Sequence, residues 1–344
     1  MPDMIETTAA SMSEPPMIQI VDLVKRFGPF TAVDGVGFSV FRGEVLGFLG
    51  PNGAGKSTTM KMAAGFLTPT AGRVAIAGHD VEAAPLEAKR ALGYLPEGAP
   101  AYGDMTTRSF LEFLGRVRQL DKATARRRFD QVVTEIALEG VLDQPIDTLS
   151  KGFKRRVGLA GAILHDPPCL ILDEPTDGLD PNQKHEVRNL IRRMAPSKAI
   201  VVSTHILEEV EAVCSRAVII DRGRVVADGT PQDLMAHSPF HNAVRLSLLN
   251  AVPDLASRLA DVAGVARVFV PEGGRPGRDF LVLPRHAGAT ILEGVAMRLR
   301  QTGIAIETMT VDSGRLDDVF RNLTTSDAAR ETRAPQNRTA ETRP

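Results

Sequence analysis

Cysteine is scarce in this 344-residue chain: only Cys169 and Cys214 are present. Both fall in apolar runs, which predicts buried free thiols and excludes a disulfide framework or a cysteine-built metal site. An excess of one charge is also missing. Lys and Arg total 41 against 42 Asp and Glu, a net charge of −1, so no global field draws the chain to nucleic acid or to an anionic bilayer. No run of about eighteen apolar residues exists to span a membrane, and the N-terminus has neither a basic start nor an apolar signal core. The chain is therefore expected to stay in the cytoplasm, with any membrane link made through a partner protein. Two basic runs, Arg126-Arg127-Arg128 and Lys154-Arg155-Arg156, lack interleaved aromatic residues for stacking bases. The first reads as a solvated helix face, and no direct nucleic-acid partner is expected.

What is present is an ordinary core-forming composition, 43% apolar and 24% charged, at a length that accommodates two domains. Within it Gly50-Pro51-Asn52-Gly53-Ala54-Gly55-Lys56-Ser57-Thr58 fits the phosphate-loop pattern GxxxxGK[ST]. A strand-like run, Glu44 to Leu49, enters it and a helix-competent run, Ser57 to Phe66, leaves it. Glycines let the backbone wrap an anion and aim N–H groups at it. Lys56 would reach the β and γ phosphates of a nucleoside triphosphate, Ser57 would ligate magnesium, and the following helix adds its positive end. Further on, Cys169-Leu170-Ile171-Leu172-Asp173-Glu174 is an apolar strand ending in adjacent carboxylates, a Walker B arrangement. Asp173 would face magnesium opposite Ser57, and Glu174 would polarise the attacking water.

Residues 1–16 and 325–344 lack apolar periodicity and read as disordered. A nucleotide-binding domain spans 17–238. It opens with short strands from Met17 to Leu23 and Val36 to Phe41, an antiparallel layer. A helical subdomain follows at about 105–148, where Phe110, Phe113, Leu114 and Val117 recur at helical spacing. Strand and helix then alternate to Asp221 as in a mostly parallel α/β sheet. From 239 to 324 the order is βαββαβ, with helices over 253–263 and 287–301 and a terminal helix from Arg315 to Leu323, which predicts a small ferredoxin-like α+β domain.

The ordered motifs resemble the ATP-binding cassette (ABC) family over roughly residues 17–235. Leu149-Ser150-Lys151-Gly152-Phe153 stands at the position of the family signature, departing from LSGGQ at Lys151 and Phe153 while keeping Ser150 and Gly152. Gly178-Leu179-Asp180 resembles the D-loop and His205 the switch histidine. The resemblance implies an α/β P-loop NTPase fold and an ATPase that uses ATP and Mg2+. It implies that two cassettes, a homodimer or a heterodimer with a second ATPase subunit, sandwich ATP between Lys56 of one and Ser150 and Gly152 of the other. It further implies that His205 contacts the γ phosphate and that Asp180 communicates across the dimer. Glu97 replaces the family's glutamine as a magnesium contact and partner sensor, and Phe27 supplies the aromatic platform for adenine.

Within the family, Lys151-Gly152-Phe153, Tyr94-Leu95-Pro96-Glu97, Thr176-Asp177-Gly178-Leu179-Asp180-Pro181 and the ending Leu316-Asp317-Asp318-Val319-Phe320 resemble the ATPases of ABC-2 type exporters. That resemblance implies a separate membrane permease as partner, a peripheral location on the inner face of the cell membrane, and a C-terminal domain that belongs to the subunit. Two other readings compete with it: a soluble ABC ATPase that remodels a ribosome, DNA or protein complex, and a P-loop kinase.

Overall fold

The computed structural model describes residues 14–98, 101–286 and 288–331. The chain forms two compact units, divided between Asp228 and Gly229. In chain order the first carries β1 (Ile18–Phe27), β2 (Phe30–Val40), β3 (Val45–Leu49), α1 (Lys56–Ala63), β4 (Ala71–Ile76), β5 (His79–Asp80), α2 (Pro85–Ala91), β6 (Leu92–Leu95), α3 (Thr107–Val117), α4 (Lys122–Ile136), α5 (Lys151–Ile163), β7 (Cys169–Asp173), α6 (Pro181–Met194), β8 (Ala199–Thr204), α7 (Leu207–Val213), β9 (Arg216–Asp221) and β10 (Arg224–Gly229).

Every residue of β3, β7 and β8 is buried, the mark of strands covered on both faces of a parallel sheet. They lie inside a six-stranded sheet of order β10-β9-β3-β8-β7-β6. Its register sets the site. Leu49 pairs with Thr204, Asp173 with Ser203 and Leu95 with Leu172, so the loops leaving β3, β6, β7 and β8 all emerge at the same edge, where α/β sheets place their ligands. A second sheet, β2-β1-β4-β5, is antiparallel. Its inner residues Ile18, Ile20, Val36 and Phe38 join Phe48 and Met60 in one core, and the rings of Phe38 and Phe48 meet at 5.2 Å between centroids.

The helices of the inserted region start where short polar side chains can accept orphan N–H groups. Thr106 caps α3, Asp121 caps α4 and Ser150 caps α5. The basic run at 126–128 is not a uniformly solvated helix face. Arg126 and Arg127 are exposed, but Arg128 is buried and donates to the carbonyls of Ile163 and Leu164. It adds donors at the last turn of α5, where Ile163 O also accepts from Asp166 N–H at 3.0 Å.

The second unit contains α8 (Pro231–Met235), β11 (Ala243–Leu248), α9 (Leu255–Leu259), β12 (Val265–Phe269), β13 (Asp279–Pro284), α10 (Leu292–Gln301), β14 (Ile306–Asp312) and α11 (Leu316–Glu331). Its antiparallel sheet runs β12-β13-β11-β14, the strand order of a ferredoxin-like βαββαβ unit. Val244, Leu246, Phe280 and Val282 pack beneath Leu255, Leu259, Val295 and Leu299 of the two crossover helices. These helices are shorter than the apolar spacing predicts. Gly288 takes a left-handed φ of 83°, which excludes a helix starting at 287, and α9 ends in a turn closed by Val262 N–H to Leu259 O.

The division of units falls ahead of residue 239 because α8 packs with α11, close enough that a Cβ on Gly314 would lie 2.7 Å from Met235 O. α11 continues to Glu331, past Leu323 and into the stretch read as a disordered tail. Glu14 to Pro16 carry no regular structure. The rest of the two disordered-terminus readings, 1–13 and 332–344, lies outside the described residues.

Where α5 crosses β6 the chains touch through glycine. A Cβ at Gly93 would overlap the Ala162 carbonyl oxygen and lie 2.6 Å from Leu170 Cδ2. Gly93→Ala is therefore expected to lower the unfolding free energy by about 1–3 kcal/mol. Equilibrium urea unfolding measures it, and an unchanged midpoint would mean that α5 recedes freely.

Candidate nucleotide site

β3 delivers the chain into the loop at Gly50, where a Cβ would sit 2.5 Å from Ile220 O; no larger residue fits. The turn closes through Ala54 N–H to Pro51 O and is anchored by Gly223 N–H to Ala54 O. Gly53 and Gly55 hold φ of 83° and 104°, and Gly55 is the N-cap of α1. The N–H groups at the start of α1 thus face the loop's concavity, as anion binding requires. Pro51 and Asn52 form its outer arm, and Thr58 lies in the first turn of α1. Lys56 is 7% exposed, and its Nζ donates to the carbonyls of Gly50 (2.7 Å) and Pro51 (3.1 Å). Burial lowers its pKa, opposed by the nearby charges of Glu174, Asp173 and Glu97.

The carboxylates gather opposite this lysine. Ser57 Oγ lies 3.4 Å from Glu97 Oε2. Asp173 is fully buried, and among the described residues neither of its oxygens has a partner of good hydrogen-bond geometry. Burial raises its pKa, while the Ser203 and Ser57 hydroxyls lie near enough to favour the ionised form. Glu174 adopts a left-handed φ of 50°, uncommon for a side chain with a Cβ and a form of local strain found at functional sites. Its N–H is held by Ser203 O at 2.8 Å. Its carboxylate accepts from Thr204 Oγ1 at 3.3 Å and meets His205 Nδ1 at 2.8 Å. His205 and Thr204, at the end of β8, thus both contact the carboxylate of Glu174, just past the end of β7.

The signature segment is ordered by its own helix. Ser150 Oγ accepts from Phe153 N–H, and Gly152 leaves room for Gln183, whose Oε1 would lie 2.7 Å from a Cβ there. Lys151, one of the two departures from the consensus, pairs with Asp177 at 3.0 Å and lies over Gly178, linking signature and D-loop within one chain. Asp180 caps α6 by accepting from Gln183 N–H at 2.9 Å. Phe27 closes the first hairpin 49% exposed, with Lys25 Nζ 5.2 Å from its ring centre.

Two contributors escape a reading of the sequence. Thr204 is visible only as the end of an apolar strand, although its position directly before His205 is a usable signal. Arg155 is hidden inside a basic run, yet it is 5% exposed and donates to the carbonyls of Pro96, Asp173 and Glu174. Beside the site a cleft of about 840 Å³ runs between α3 and the loop after β6. Phe66, Leu86, Tyr102 and Val117 line it and are each more than half exposed.

Among the described residues no helix is long and apolar enough to cross a membrane. Residues 33–177 match the ABC transporter family. The Nod factor export ATP-binding protein I of Ralstonia nicotianae is 38% identical over 223 residues, 64% of this chain and 70% of that protein. Daunorubicin resistance ATP-binding protein DrrA3 of Streptomyces coeruleorubidus is 33% identical over 307 residues, 88% of this chain and 94% of that protein. A solved ATP-binding subunit of an ABC transporter superposes with a TM-score of 0.60 at 34% identity, covering 63% of this chain and 91% of its own. With a phosphate loop, a buried acid and a second carboxylate joined on one sheet edge, and relatives matched along most of their length, the chain belongs to the ABC transporter family as an ATP-binding, ATP-hydrolysing subunit.

Proposed function

We propose that the chain drives export through a separate ABC-2 type membrane permease, hydrolysing ATP in a dimer of cassettes at the inner face of the membrane. The observation that supports this most is the Glu174–His205 pair, 2.8 Å apart directly past the ends of β7 and β8. Lys56 and the loop from Gly50 to Thr58 hold the triphosphate, and exposed Phe27 stacks on the adenine, a contact worth about 1–3 kcal/mol for a base on an aromatic ring.

The orphaned, buried oxygens of Asp173 and the Ser57–Glu97 contact form a set of hard oxygen donors that suits Mg2+. Ser57, Asp173 and Glu97 would hold it, and when bound it neutralises charge on the β and γ oxygens. Glu174 then accepts the proton of the attacking water. His205 orients that carboxylate through Nδ1, which leaves Nε2 for the γ phosphate. From a second cassette, the Ser150 hydroxyl and the N–H of Gly152 close the opposite face of the nucleotide, and Asp180 fixes the segment that meets the partner. The apolar cleft is the dock for the permease, since water-exposed large apolar side chains clustered around one concavity mark an interaction site.

Glu174→Gln is expected to keep ATP affinity and slow hydrolysis by roughly 100-fold or more, measured as phosphate release; wild-type turnover would show that another group takes the proton. Ser150→Arg should abolish ATPase activity while one-to-one ATP binding persists, and full activity in a monomer would sink the two-cassette scheme. Val117→Asp, on the cleft rim, should prevent recovery with the co-expressed permease while ATPase activity of the isolated subunit stays within about twofold. Undiminished co-purification would move the docking surface elsewhere.

A further inference from the structure

Arg155 lies in α5, the helix that begins at the signature, yet its guanidinium donates to carbonyls outside that helix. One terminal nitrogen donates to Pro96 O at 3.0 Å; the other donates to Asp173 O at 2.5 Å and to the carbonyl of Glu174. Because β6 and β7 are neighbours in register, a single guanidinium closes the ends of two adjacent strands where their carbonyls have left the ladder. It does so with side-chain burial that leaves 5% exposed. Its charge faces the carboxylates of Asp177, Asp173, Glu174 and Glu97. The peptide of Glu174 is thereby fixed on both sides, its N–H by Ser203 of β8 and its carbonyl by Arg155. This is the residue whose φ is 50°, a conformation that persists only where surroundings over-determine it.

We infer that Arg155 is a positioning residue, joining the signature helix, the Glu97 loop and the backbone of Glu174 into one unit so that the carboxylate meets the attacking water. The inference rests on the assignment of Glu174 as proton acceptor. A planar fork with five N–H donors spans three carbonyls; an ammonium with a single nitrogen does not reproduce that geometry. Misplacing a catalytic carboxylate by about 1 Å costs on the order of 100-fold in rate, while phosphate and adenine contacts are made by other segments. The loss therefore belongs in kcat, with ATP affinity spared.

The test uses the full chain and four variants: Arg155→Met, Arg155→Lys, Glu174→Gln and the double variant Arg155→Met/Glu174→Gln. Phosphate release, and ATP binding followed with a fluorescent analogue, are measured on each. Arg155→Met is expected to lower kcat about 10- to 100-fold with the dissociation constant for ATP within about threefold, and Arg155→Lys to recover only part of the rate. The double variant should be no slower than Glu174→Gln alone, because two groups acting as a unit do not contribute independently. Losses that multiply in the double variant, full rescue by lysine, or an ATP affinity that falls in step with the rate would overturn the inference. If Arg155→Met does not fold, Arg155→Lys carries the test: a kcat reduced with affinity intact supports the inference, and wild-type turnover overturns it. Wild-type turnover in Glu174→Gln alone would refute the proton-acceptor assignment itself, a result distinguishable from failure at Arg155.

Discussion

Charge held out of water at the ends of parallel strands is the constraint on which the rest of this fold depends. Asp173, Glu174, Lys56 and Arg155 are all buried, and an ionised group removed from water costs several kcal/mol unless partners replace its hydration. Such partners have to be placed without adjustment, so the sheet cannot be loose. The parallel register that sets Asp173 beside Ser203 and Leu95 beside Leu172 is what brings the acids, the lysine and the arginine within reach of one another. The apolar residues of β3, β7 and β8 keep that register fixed, because a one-residue slip would turn each functional side chain to the other face.

The antiparallel layer and the helices are supports for this edge. Phe38 against Phe48 joins the layer to β3 just upstream of the phosphate loop, and the close backbone approach at Gly55 to Ala32 O ties the loop to β2. Lys151 over Gly178 joins signature to D-loop.

Much of the site is legible in the residues because its chemistry is local. A tight anion cradle demands glycines at fixed spacing, so Gly50 to Thr58 declare themselves. An apolar run that ends in Asp173 and Glu174 has few other uses beside such a loop. Strand order in the C-terminal unit also follows from alternation and turn residues. The arginines do not declare themselves. Arg126, Arg127 and Arg128 are identical in composition, and only the carbonyls at the end of α5 make Arg128 different. The same holds for Arg155 between Lys154 and Arg156. A guanidinium is recruited by acceptors that tertiary packing supplies, and no periodicity in its own segment reports them. Helix lengths were blurred for a related reason: apolar spacing over 287–301 suits a helix, but the left-handed Gly288 stops it short.

Helix α5 is fastened at both ends, by the Ser150 hydroxyl at its start and by Arg128 on the carbonyls of Ile163 and Leu164. Its thirteen residues make a rod about 20 Å long. The end away from the signature presses on β6: Ala162, the penultimate residue of α5, lies where Gly93 has no room for a Cβ, so the helix cannot slide closer to the sheet.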